Sequence, residues 1–180
     1  MFQYYASNHM IMKRFSIKVL CYIYPLEQCD IVPFLKRVYN HIYDRLSSDN
    51  IVSFDEKKEA LRLTREILRH RTEIIYDDAP ALCNFLYNHL HRAHDYEQAE
   101  MNEILIELFK TIVDLILKIP KNVFPYAYEI ADYIIKLLNS KDSEEKVKTV
   151  ALSCFNELIR GCSYVIIPYF HFRNLFEIIR

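Results

Sequence analysis

With 180 residues, 52% of them hydrophobic, the chain is long and apolar enough to bury a core and is too apolar to be a disordered chain. Lys and Arg total 23 against 24 Asp and Glu, a net charge of −1, so the basic excess of an ordinary nucleic-acid binder is missing. The single glycine, Gly161, excludes a Walker loop, a G-x-G-x-x-G turn and a kinase glycine-rich loop, which each need at least two.

Near the N-terminus, Lys13 and Arg14 precede an apolar run over 15–24 that has the outline of a signal peptide. Lys18 interrupts it and no small-x-small cleavage site follows, so secretion is not expected. From there the helical period dominates. Ile31, Phe34, Leu35, Val38, Ile42 and Leu46 lie on one face of a first helix. Ala60, Leu61, Leu63, Ile67 and Leu68 define a second, whose basic stretch from Arg62 to Arg71 also holds Glu66 and reads as a solvated face. Leu82, Phe85, Leu86, His89, Leu90 and Ala93 mark a third.

A fourth helix is apolar on most sides: Ile104, Leu105, Leu108, Phe109, Ile112, Val113, Leu115 and Ile116. Glu107, Lys110, Asp114 and Lys118 recur along it, so it is a buried or amphipathic helix and not a membrane span. Phe124, Tyr128, Ala131, Ile135 and Leu138 give a fifth stripe. Val147, Val150, Ala151, Cys154, Phe155, Leu158 and Ile159 give a sixth. Ser143, with Glu144 and Glu145, is expected to cap that last helix, and Gly161 to close it in a left-handed conformation. No period-two alternation marks a strand. With about eight helices and short connections, the fold class is all-α.

A slower period overlies this one. Pro33, Pro80, Pro125 and Pro168 stand at helix starts, at intervals of 47, 45 and 43 residues, with a second helix in each interval. Helix pairs recurring at that distance are the mark of HEAT-type repeats, which stack because no unit can bury its own apolar stripe. The expected architecture is an α-α superhelix of antiparallel helix pairs. Its units would be 30–76, 77–120, 121–163 and an incomplete 164–180, after a partial N-terminal repeat over 1–29. HEAT turns commonly carry an Asp with a basic residue at the next helix start. Asp142 with Lys148 fits this, Asp49 with Lys57 or Lys58 is a second instance, and Asp95 has no evident basic partner.

No constellation of catalytic, cofactor-binding or metal-ligating residues emerges. His89, His91 and His94 lack the i, i+4 spacing and acidic or thiolate partner of a metal site, and read as one half-buried and two surface histidines. Cys154 with His171 has no third group, and Cys154 lies on an apolar stripe where a thiol is inert. Asp77-Asp78 and Glu144-Glu145 suit helix starts electrostatically. The five cysteines, Cys21, Cys29, Cys83, Cys154 and Cys162, are odd in number and show no C-x-x-C pair, which fits reduced thiols in the cytoplasm. Tyr39, Tyr43, Tyr87, Tyr126 and Tyr133 fall off or beside the stripes. They suit either a partner surface or partial burial against the next unit.

The stretch from Phe124-Pro125-Tyr126 through Val150-Ala151-Leu152 and Glu157-Leu158-Ile159-Arg160-Gly161 into Tyr164-Val165 and Pro168-Tyr169 resembles the middle HEAT region of TOR kinases. These are very large PI3K-related Ser/Thr kinases. The chain departs from the family at Ile167, where an acidic residue is usual, at Phe172-Arg173, where a Tyr-Pro pair is usual, and at Cys154, Phe155 and Asn156, which replace small residues. The resemblance covers 124–180 and implies a scaffold segment without the kinase domain or the rapamycin-binding region. Its implied partners are other TOR-complex subunits and a second TOR chain, with no nucleic acid, no membrane span, no cofactor and no evident small-molecule substrate. Two other readings compete: a compact Bcl-2-like bundle that holds a partner helix in a groove, and a small helical enzyme, which no residue spacing supports.

Overall fold

A computed structural model describes residues 32–47, 53–93 and 98–162. Expectations that rest on the 15–24 run, Cys21, Cys29, Ile31, Asp49, His94, Asp95, Pro168, His171 or any other residue of 163–180 lie outside these. Among the described residues all regular structure is helical and no strand occurs. The long helices are α1 (Val32–Ser47), α2 (Phe54–His70), α3 (Ala79–His91), α4 (Gln98–Lys118), α6 (Ala127–Asn139) and α7 (Glu145–Gly161); α5 is the single turn Pro120–Val123. The chain divides into two compact units between Asp78 and Ala79.

In the first unit α1 packs along α2. The apolar stripes meet there: Leu35, Val38, Ile42 and Leu46 from α1, and Ala60, Leu61, Leu63, Ile67 and Leu68 from α2, are all buried. Each fully buried aliphatic side chain contributes about 1.5–3 kcal/mol, enough to set the pairing. A capping box starts α2, in which the Ser53 amide donates to Glu56 Oε2 at 3.2 Å and the Glu56 amide donates to Ser53 Oγ at 3.4 Å. Beyond α2 the chain turns through two 3₁₀ segments, Thr72–Ile74 and Tyr76–Asp78. Lys36 ties them to α1, since its Nζ donates to Ile74 O at 2.8 Å and pairs with the Asp78 carboxylate. The basic stretch of α2 is less solvated than its composition implies. Arg62, Arg65 and Arg71 are half-buried and Glu66 is buried, because the stripe is wide and their stems lie along it.

In the second unit α7 makes its most extensive contact with α4, and it also packs on α6. Helix α3 touches α4, α5 and α6. Gly161, in the last turn of α7, lies against Ile116 near the end of α4, so the two helices run the same way. Rings of Tyr87 and Tyr126 approach to 5.5 Å and those of His91 and Tyr133 to 5.7 Å, so α3 and α6 also advance in the same direction.

One junction occurs twice. Arg71 (φ −146, ψ 57) and Ile119 (φ −141, ψ 57) break their helices with nearly the same backbone. Each amide donates to the carbonyl four residues back at 2.7 Å. A short helical segment follows each break, and eight residues past it a long helix begins at a buried alanine, Ala79 or Ala127. Pro33 and Pro80 are second residues of long helices, whereas Pro125 stands in the 3₁₀ turn Phe124–Tyr126 ahead of α6, and Pro120 opens α5. The prolines therefore do not occupy equivalent places in their helices.

Four local expectations are corrected. The α6 stripe is Ala127, Ile130, Ala131, Ile134, Ile135 and Leu137, while Phe124 and Tyr128 are exposed. The intervening 3₁₀ turn changes the angular phase, so Phe124 cannot be read on the α6 period. Helix α7 begins at Glu145 with Glu144 at its N-cap and no side-chain cap, so Ser143 does not serve. Gly161 is helical, and its missing Cβ allows close approach to Ile116 instead of a left-handed turn. Asp142 makes no ion pair with Lys148: the Lys148 ammonium donates to Ser140 O and holds the turn itself.

Buried polar groups are mostly satisfied within their helices. Thr64 Oγ1 donates to Ala60 O at 2.9 Å, and Thr111 Oγ1 to Glu107 O at 2.7 Å. Asn102 is one exception. It is 4% exposed and neither amide atom has a hydrogen-bond partner. An unsatisfied buried amide costs about 1–3 kcal/mol. Asn102→Leu should therefore raise the denaturant midpoint, by the equivalent of about 1–2 kcal/mol. A lowered midpoint would show that the amide is engaged.

Candidate functional site

The second unit carries an open cleft of about 510 Å³, lined by Pro120, Lys121, Phe124, Gly161 and Cys162. Its construction follows from the junction. Ile119 breaks α4, Pro120 opens α5 at a position that needs no amide donor, and the following 3₁₀ turn carries Phe124 out of the core, 53% exposed. On the other side α7 ends on Gly161. The Cys162 amide donates to Leu158 O at 3.1 Å and its thiol to Pro120 O at 3.7 Å, which ties the two walls together.

The thiols nearby are held towards their neutral form. Burial pushes the Cys83 thiol up to about 12, with Cys162 adding to the shift. Burial likewise raises Cys154, followed by Cys162 and Glu157, and it raises Cys162. A thiol held neutral is a poor nucleophile at pH 7. Cys154 is fully buried, as its stripe position requires. Cys83 and Cys154 should resist iodoacetamide in the native protein at pH 8 and react in denaturant, read by mass spectrometry; native labelling of Cys154 would refute the burial. Folded thiols that titrate above their ordinary value of 9.0 favour the native state fully below that pH. That contribution declines as pH rises from about 9 towards 12.

A half-exposed aromatic row lies on the same unit. Tyr87 contacts His91 edge-on at 4.7 Å, and Tyr133 meets both His91 and Phe109. Tyr87, Tyr126 and Tyr133 are thus partly buried between neighbouring helices, one of the two placements open to them from the sequence. Burial raises the Tyr133 hydroxyl. Tyr39 differs, being 1% exposed within the α1 stripe. Tyr43 is half-buried, its hydroxyl raised by burial and then by Asp78.

His89 is half-buried, its Nδ1 3.1 Å from Phe85 O, and His91 is exposed on the aromatic row. Among the described residues no group of three or more His, Cys, Asp or Glu is placed to hold a metal ion. No helix among them is long and apolar enough to cross a membrane. Pro120 announces the helix break at Ile119, since a proline disfavours helical backbone in the residue before it, but nothing in the sequence brings Gly161 and Cys162 to face that break.

These features describe an all-α protein of packed helix pairs with an apolar surface cleft. No protein-family model matches the chain, and no curated protein is significantly similar to it.

Proposed function

We propose that the chain is an interaction scaffold, a HEAT-like α-α superhelix that works by displaying surface to protein partners and performs no bond chemistry. One observation carries this reading: the repeated junction at Arg71 and Ile119, with the same backbone break, the same 2.7 Å bond and the same eight-residue run into a buried alanine. Helix starts at Val32, Ala79 and Ala127 are 47 and 48 residues apart, and those at Phe54, Gln98 and Glu145 are 44 and 47 apart. Like-directed contact of α4 with α7, and of α3 with α6, is what stacked copies of one hairpin make.

Within this reading, the likeness of 124–180 to the TOR HEAT region supports a narrower one. The chain is then a segment of a TOR-like Ser/Thr kinase of growth and nutrient signalling, acting in the cytoplasm. It binds the other subunits of that complex, and phosphoryl transfer belongs to another part of the protein.

One observation favours a closed Bcl-2-like bundle instead: α4 is buried on nearly every side, as the central helix of such a bundle is. Small-angle scattering separates the two. A superhelix gives a distance distribution with a long tail and a radius of gyration well above the roughly 16 Å of a compact chain of this length. A symmetric distribution near that radius would overturn the scaffold reading.

A further inference from the structure

We infer that the cleft beside Gly161 is a docking site for a protein segment that presents one apolar anchor side chain flanked by carboxylates. At about 510 Å³ the cleft lies within the range of roughly 300–1,000 Å³ in which discrete groups are bound. Its lining is largely apolar, and the one large apolar side chain in it, Phe124, stands in water at 53% exposure. Aromatic and aliphatic groups at a concave edge supply the central contacts of protein interfaces.

Charge selects the partner. Lys121 lines the cleft and Lys118 precedes it by three residues, both exposed. Among the described residues neither forms an ion pair, whereas Lys136 and Arg160 on the same unit are paired with Asp132 and Glu157. The nearest acidic group on α7, Glu157, is thus already engaged. An ammonium group in the wall of an apolar hollow, with a second at the end of the preceding helix, complements an acidic segment and repels a basic one. The chain's own charge of −1 gives nucleic acid no general attraction. The inference deepens the scaffold reading by naming a partner's chemistry. It does not use the repeat spacing, so scattering can defeat that reading while leaving this one standing, and the reverse.

The test is selection of the full chain against a displayed library of random helical peptides, followed by anisotropy titration of the enriched sequences. Enriched peptides should carry a Leu or aromatic anchor with Asp or Glu beside it. The double variant Lys118→Glu/Lys121→Glu should weaken them about tenfold, and added salt should weaken them as well. Phe124→Asp should remove binding, and Lys136→Glu should leave it unchanged, with circular dichroism checking the fold of each variant. Four results would overturn the assignment: no enrichment, enrichment without acidic bias, affinity indifferent to the double reversal, or a concentration-dependent doubling of mass that Phe124→Asp abolishes. The last would give the face to a second copy of this chain.

Discussion

Phe109→Ala should be the most damaging of the single truncations considered, lowering stability by about 3–5 kcal/mol. Phe109 is completely buried in α4, the helix that α7 covers most extensively, and its ring stands 6.3 Å from that of Tyr133. Removing it deletes an aromatic side chain and leaves a hole that helices on several sides cannot all close. Urea unfolding followed by circular dichroism checks the value. A loss below about 1 kcal/mol would mean that the surroundings collapse freely and that α4 is not the packed centre of its unit.

The second large effect concerns the only glycine. A Cβ at Gly161 would overlap the Cγ2 methyl of Ile116 and stand 3.5 Å from Ile116 O. Alanine ordinarily helps a helix by up to about 1 kcal/mol relative to glycine. Here the sign should reverse. The obstructing atom belongs to a β-branched side chain that is stiff at χ1 and 1% exposed, so it cannot swing away. Gly161→Ala should cost about 1–3 kcal/mol, and Gly161→Val more. The clash also predicts coupling: in an Ile116→Ala background the Gly161→Ala penalty should largely vanish, a double-mutant cycle read from denaturant midpoints. Equal penalties in the two backgrounds would place the close approach elsewhere.

Both effects fall where the sequence spoke with different clarity. Phe109 lies on a stripe that recurs with the helical period, and such stripes were legible because burial of one face dictates them. The buried sets of α1, α2, α3 and α4 follow it closely. Gly161 was legible as special, but for the wrong reason. A lone glycine after the last apolar residue looks like a left-handed cap, and only the position of Ile116 shows that the missing Cβ admits a neighbouring helix.

Phase was lost wherever a short turn preceded a helix. Phe124 seemed to share a face with Ala131 until the 3₁₀ turn displaced it, and the same displacement makes it a wall of the cleft. Tyr39 was misjudged because a wide stripe accepts a residue beside it, and Lys148 because the partner it takes is a backbone carbonyl that no residue type reveals. The candidate site was largely illegible for a related reason. It is made of a helix break and an outward phenylalanine on one stretch and a glycine on another, and no residue spacing joins the two.

The central claim is that consecutive helix pairs pack in step, like against like. Nuclear Overhauser spectroscopy on protein labelled at the isoleucine Cγ2 methyls tests it at one contact. A strong cross peak between the Ile116 methyl and the Gly161 α-protons is the predicted result. Its absence, with Ile116 instead connected to Val147 at the opposite end of α7, would mean that α4 and α7 run in opposing directions and that no helix pair is repeated.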